Sequence, residues 1–146
     1  MLFRSVELVV GLDTFKPVEV ENPLEHRIHT ERYSVSGETW KTVQAAQRVI
    51  AVGTTSCRAL ESVASTGNLE GRTNLFITPG YEWKVVDVLM TNFHMPRTTL
   101  LLMISAFFGP RWRDIYAEAV QERYRFLSFG DAMLLERRPG VDHVSC

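Results

Sequence analysis

The sequence predicts an α/β fold in which a small mixed, partly parallel sheet is flanked by helices. Three observations predict it. Short β-rich segments alternate with segments of helical periodicity, the order that puts crossover helices between parallel strands. Val49–Val52 is a continuous apolar run, typical of a strand buried on both faces, and leads at once into Gly53-Thr54-Thr55-Ser56 and a helical stretch. Leu100–Phe108 is apolar almost all round, which assigns it to the core as its most buried helix.

The elements follow in order. Ser5–Val10 is β-rich and stops at Gly11. Pro17 to Val20 suggests a short extended piece, and Pro23–Thr30 a loop or single helical turn. Arg32–Val35 alternates polar and apolar like a strand. Ser36-Gly37 breaks that pattern, and Glu38–Arg48 then has helical spacing through Trp40, Val43 and Ala46. Strand Val49–Val52 and helix Cys57–Ala64 flank the Gly/Thr turn. Thr66–Thr73 is polar and expected as a loop; Asn74–Ile77 is expected as a strand, Pro79-Gly80 as a turn, and Trp83–Leu89 as a third strand. Thr91–Pro96 is expected as a loop. Thr98 or Thr99 caps the apolar helix, which Gly109-Pro110 stops. Arg111–Tyr124 is amphipathic, and Phe126–Leu135 ends in a short strand.

With 146 residues, 45% of them hydrophobic, the chain suits one domain with a real core and excludes disorder over most of its length. Residues 1–136 form that domain and residues 137–146 are expected as a flexible tail. The net charge of −1 hides a basic middle: residues 72–113 hold five basic and two acidic side chains. On composition alone that is an ordinary solvated surface more readily than a phosphate-binding one. Two cysteines, Cys57 and Cys146, make no disulfide framework. The first ten residues carry Arg4 and Glu7 inside the apolar run and do not read as a signal peptide. The longest apolar run, Leu100–Ile104, is far below the ~20 residues that span a bilayer. A cytoplasmic location is the expectation.

Two segments carry chemistry. A strand ending in Gly53, with Thr54, Thr55 and Ser56 opening a helix, aims hydroxyls and free N–H groups at one place where the dipole favours a carboxylate or phosphate; plain N-capping uses the same residues equally well. Thr91-Asn92-Phe93-His94-Met95-Pro96 groups an amide, an aromatic ring and an imidazole just after a strand, with Asp87 and Lys84 upstream. His26 and His29 are three apart but have no third ligand at a supporting spacing, so no metal is expected.

These residues also carry a family resemblance. Val52-Gly53-Thr54-Thr55-Ser56 with Arg58, Leu60, Glu61 and Ser62 resembles the VGTT…R.LES block of the S-adenosylmethionine:tRNA ribosyltransferase-isomerase family. Pro79-Gly80-Tyr81, Lys84-Val85-Val86-Asp87 and Thr91-Asn92-Phe93-His94-Met95-Pro96 resemble its PGY.FKVVD.L.TNFH.P block. Ser105-Ala106-Phe107, Tyr124-Arg125-Phe126 and Phe129-Gly130-Asp131-Ala132-Met133-Leu134 resemble its C-terminal blocks, while Gly11, Thr14-Phe15, Pro17-Val18, His26, His29 and Glu31 resemble earlier ones. The resemblance runs from about Glu7 to Glu136 and covers the C-terminal portion of the family's protein only. Val9 stands where the family has His, and Asp13 where it has Gly.

The resemblance implies a partial version of the family's larger α/β domain. It implies transfer and isomerisation of the ribosyl group of S-adenosylmethionine onto 7-aminomethyl-7-deazaguanine at the wobble position of tRNA. The product is epoxyqueuosine, with adenine and methionine released. S-adenosylmethionine is the donor substrate, tRNA the partner, and no metal is implied. Under this resemblance His94 and Asp87 are the candidate catalytic residues, His94 as base or acid. Gly53, Thr54, Thr55 and Ser56 are candidates for the methionine carboxylate, and Phe93, Trp83 or Tyr81 for the sulfonium, whose charge Asp87 or Glu61 would offset. Arg58, Lys84 and Arg97 are candidates for tRNA phosphates, and Asn92 for a substrate contact. A catalytically inactive remnant that binds nucleotide or RNA, and one half of a split enzyme completed by a separate N-terminal half or by self-association, are the alternatives. An uncovered apolar face is expected on the first strand, at Val6, Leu8 and Val10, and on neighbouring sheet edges.

Overall fold

The computed structural model describes residues 1–10 and 30–137. The expected pieces at Pro17–Val20 and Pro23–His29, the positions Asp13, His26 and His29, and the tail beyond Arg137 lie outside the described residues.

The expected α/β class holds, but the strands divide into two three-stranded sheets. The first is antiparallel. β1 (Glu7–Val9) pairs with β2 (Glu31–Ser34), and β2 pairs with β4 (Glu70–Thr73). The second is mixed. β3 (Ile50–Val52) runs parallel to β5 (Val88–Asn92), and β5 pairs antiparallel with β6 (Ala132–Glu136). Between them stands helix α2 (Thr54–Thr66), which touches β1 and β4 on one side and β3 and β5 on the other.

Local chemistry sets the element ends. Ser36 caps α1 (Gly37–Ala45), its hydroxyl accepting from the Thr39 N–H at 3.1 Å. Thr98 caps α3 (Thr99–Phe108) in the same way toward Leu101, and Gly109 closes that helix. Helix α4 (Trp112–Gln121) packs on α3, and a 3-10 turn at Leu127–Phe129 leads into β6.

Five expectations are corrected. Thr66–Thr73 is not all loop: β4 forms there because its backbone completes the pairing of β2, a long-range partner that composition does not reveal. Asn74–Ile77 is not a strand; the Leu75 N–H is taken by the Thr73 hydroxyl at 3.1 Å. The strand placed at Trp83–Leu89 starts only at Val88, because the N–H groups of Lys84, Val85 and Val86 donate to the Glu61 carboxylate instead of to a neighbouring strand. It runs on through Thr91 and Asn92, which were expected as loop. The most buried helix is α2, with Cys57–Val63 all buried, and not α3, where Met103, Ile104 and Phe107 are. A helix wedged between two sheets loses water on both flanks, whatever its polarity.

The main core gathers Ala51, Cys57, Leu60, Ile77, Val86, Leu89, Phe93, Met103, Ile104, Phe107 and Leu135 between the second sheet, α2 and α3. Tyr33, Val35, Ala59 and Val63 form a second core under the first sheet. Among the described residues no helix is long and apolar enough to cross a membrane.

Candidate functional site

The two chemistry-bearing segments meet at one end of the second sheet. β3 and β5 run parallel, so the turn after β3 and the loop after β5 both leave from strand C-termini. The Gly53 N–H donates to the Met90 carbonyl at 2.8 Å, which fixes the turn beside the last residues of β5.

Gly53 has φ +90°, a conformation that costs a side-chain-bearing residue, and open space surrounds the position a Cβ would take. It is the N-cap of α2 and supplies no side-chain cap; the first turn of α2 contains no acidic residue. Thr54 and Ser56 are half-buried and Thr55 exposed. The N-terminus of α2 therefore keeps its first-turn N–H groups for another acceptor, under a positive helix-end potential.

His94 sits just past β5 and is only 8% exposed. Its ring Nε2 lies 3.0 Å from the Thr91 hydroxyl, and its backbone N–H donates to the Tyr116 hydroxyl at 2.9 Å. Burial lowers the imidazole pKa to about 4, so the ring is neutral at pH 7. Burial raises the Tyr116 hydroxyl above its ordinary value, against the opposing effect of the bond from His94. Thr91 stood in the loop block quoted from the sequence but was given no role, and Tyr116 was read only as part of an amphipathic helix. Thr91, three residues before His94, was legible; Tyr116, on α4, was not.

The remaining candidates divide by place. Asn92 donates from its side chain to the Asp131 carbonyl at 3.0 Å and ties the end of β5 to the start of β6. Phe93 is 3% exposed and packs among Tyr116, Tyr124 and Phe126 with ring centroids 5.3–5.6 Å away. Its ring faces the core and not an open cation site. Asp87 lies at the start of β5, and the five residues of that strand, roughly 16 Å of extended chain, separate it from the His94 loop. Its carboxylate accepts the Val49 N–H at 2.9 Å and faces the Arg137 guanidinium at 3.6 Å. Asp87 and His94, the two candidate catalytic residues, occupy opposite ends of one strand.

Glu61 is fully buried. It accepts the Tyr81 hydroxyl at 2.9 Å and the N–H groups of Lys84, Val85 and Val86 at 2.9–3.0 Å. Burial, with Glu61 adding to it, raises the Tyr81 pKa. Tyr81 packs edge-on against Trp83, and Trp83 against Phe107. Arg58 is buried and ion-paired with Glu31; burial lowers its pKa, and Glu31 opposes that effect. Arg58 is thus turned away from solvent, whereas Lys84 and Arg97 are exposed. Val9 is exposed on β1. Among the described residues no group of three or more His, Cys, Asp or Glu gathers as a metal site would need.

Known proteins are similar to this chain. A family described as queuosine biosynthesis protein matches residues 1–135. A relative from Rubrobacter xylanophilus, named S-adenosylmethionine:tRNA ribosyltransferase-isomerase, is 56% identical over 89% of this chain and 39% of its own length. One of the same name from Nitrosospira multiformis is 48% identical over 97% of this chain and 45% of its own. A crystal structure of an S-adenosylmethionine tRNA ribosyltransferase from Thermotoga maritima superposes with a TM-score of 0.68 at 46% identity, over 71% of this chain and 40% of that one. The chain thus spans about 40% of the length of the relatives it matches.

Proposed function

The chain belongs to the family of queuosine biosynthesis proteins, and we propose that it carries part of the site at which S-adenosylmethionine:tRNA ribosyltransferase-isomerases work. The reaction assigned to it is transfer and isomerisation of the ribosyl group of S-adenosylmethionine onto 7-aminomethyl-7-deazaguanine at the tRNA wobble position, in the cytoplasm. The observation that carries this reading is the match of residues 1–135, which contains both segments at the β3–β5 end.

The substrate's sulfonium acidifies the hydrogens of its ribose 5′ carbon, and the chain's residues divide the remaining work. The N-terminus of α2, with Thr54, Thr55 and Ser56, fits the methionine carboxylate, since its N–H groups have no side-chain cap. His94 is neutral at pH 7 and suits proton acceptance better than donation. Thr91 engages its Nε2, which leaves Nδ1 as the ring nitrogen with no partner among the described residues. The exposed Lys84 and Arg97 suit tRNA phosphates. Phe93, Glu61 and Arg58 hold the loop and helix that present these groups, and Asp87 anchors the far end of β5.

A second reading, of a non-catalytic remnant, is favoured by Val9 in place of the family's His. One experiment separates them. The chain is co-expressed with the unmatched part of the Rubrobacter xylanophilus relative and given S-adenosylmethionine and tRNA carrying 7-aminomethyl-7-deazaguanine. Adenine release with epoxyqueuosine in the digested tRNA is the expected result. Binding of S-adenosylmethionine without adenine release would establish the remnant.

A further inference from the structure

The second sheet has one covered face and one partly bare face, on which Val88, in register with Ile50 and Glu136, is buried and the other apolar side chains are exposed. Ala51, Leu89 and Leu135 are in register across β3, β5 and β6 and are at most 2% exposed. One residue along each strand, Val52, Met90 and Leu134 are also in register, and they are 62%, 43% and 66% exposed. Ile50, two residues from Val52 on the same face, is 45% exposed. Four large apolar side chains thus stand together on the outer face, with the Arg48–Glu136 ion pair at one end. An uncovered apolar face was expected on the first strand and neighbouring sheet edges; Val6, Leu8 and Val10 are half-buried, and exposed apolar side chains gather on the second sheet. Leu8 on β1 is half-buried against the second core.

We propose that this outer face is the seat of the part of the family's polypeptide that the present chain does not represent. The proposal rests on the family reading above. Parallel strands are characteristically covered on both faces, so a β3–β5 pair with one apolar face partly in water is an unfinished layer. The relatives are about two and a half times as long as the matched segment, so most of their chain must pack against something. A second copy fits less well. The patch measures roughly 14 by 16 Å across three strands, far short of the ~800 Å² per partner of a stable dimer. A longer polypeptide can continue past the patch onto the edges of β3 and β6, which have no outer neighbour among the described residues. An apolar helix face with a polar group near Arg48 and Glu136 is the complementary chemistry.

The test co-expresses the full chain, tagged, with the unmatched part of the Rubrobacter xylanophilus relative. Peroxide oxidation of Met90 is read by mass spectrometry, with the exposed Met95 as internal reference. The expected result is a 1:1 complex in which Met90 oxidises at least fivefold more slowly than in the free chain, relative to Met95. Leu134→Glu should weaken the complex at least tenfold. Val120→Glu, at an exposed position on α4, should leave it unchanged. A folded Leu134→Glu chain, verified by circular dichroism, is required; Met90→Gln serves if that variant does not fold. No co-purifying complex, a complex with Met90 oxidised at the free rate, or a free chain already dimeric with Met90 protected would each overturn the proposal. A complex with Met90 protected but without adenine release supports the seat and removes the catalytic reading.

Discussion

The carboxylate of Glu61 accepts the backbone N–H of Val86 at 2.9 Å, across 25 positions of sequence. Through this bond and its neighbours at Val85 and Lys84, one acidic side chain on α2 takes over the hydrogen bonds a strand would have made. The chain therefore reaches the start of β5 as a held loop, and the register of β5 sets where His94 emerges.

Glu61→Ala would leave three N–H groups and the Tyr81 hydroxyl without their acceptor. At about 1–3 kcal/mol for a stranded buried group, and with partial rescue by water, a loss of about 3 kcal/mol or more is expected. Glu61→Gln keeps one acceptor oxygen and should fall between the two. Urea unfolding midpoints check this; equal stability of all three proteins would refute the role.

His94 links stability to pH. Its folded pKa of about 4 lies below the unfolded value of 6.5. Between these values the unfolded chain binds the extra proton. Its contribution is thus complete above pH 6.5 and is lost as pH falls toward 4, by on the order of 3 kcal/mol. His94→Gln should flatten the stability curve between pH 6.5 and 4. An unchanged slope in that window would contradict a neutral buried ring.

Arg58 and Lys84 should separate cleanly. Arg58→Met leaves Glu31 without its guanidinium and should cost about 3–5 kcal/mol, while the salt dependence of tRNA binding by the assembled protein stays the same. Lys84→Ala should leave the unfolding midpoint nearly unchanged and reduce the slope of log affinity against log salt by about 1. Filter binding across a salt series reads both. A smaller slope in Arg58→Met would return Arg58 to the RNA surface.

At the turn, Gly53→Ala meets no atom but places a side chain at φ +90°, which should cost about 1–3 kcal/mol. Thr55→Val, at an exposed position, should leave stability unchanged and weaken S-adenosylmethionine binding by the assembled protein. Thermal unfolding and calorimetric titration check the pair; unaltered binding in Thr55→Val would detach that hydroxyl from the ligand.

Local pattern alone determined the turn and loop that frame the β3–β5 end, the capped apolar helix α3, and the α/β class, because each depends on neighbours a few residues away. The motif blocks from Val52 to Pro96 determined the family. Tertiary structure decided the rest. Whether Thr66–Thr73 holds a strand depended on β2, forty positions upstream, and whether Trp83–Asp87 does depended on a carboxylate on another helix. Arg58, Phe93 and Asp87 have the chemistry of a binding site in one dimension. In three they face Glu31, an aromatic cluster, and the Val49 N–H with the Arg137 guanidinium. Residue type fixes what a side chain can bond to, but only packing fixes which partner it reaches and whether water reaches it too.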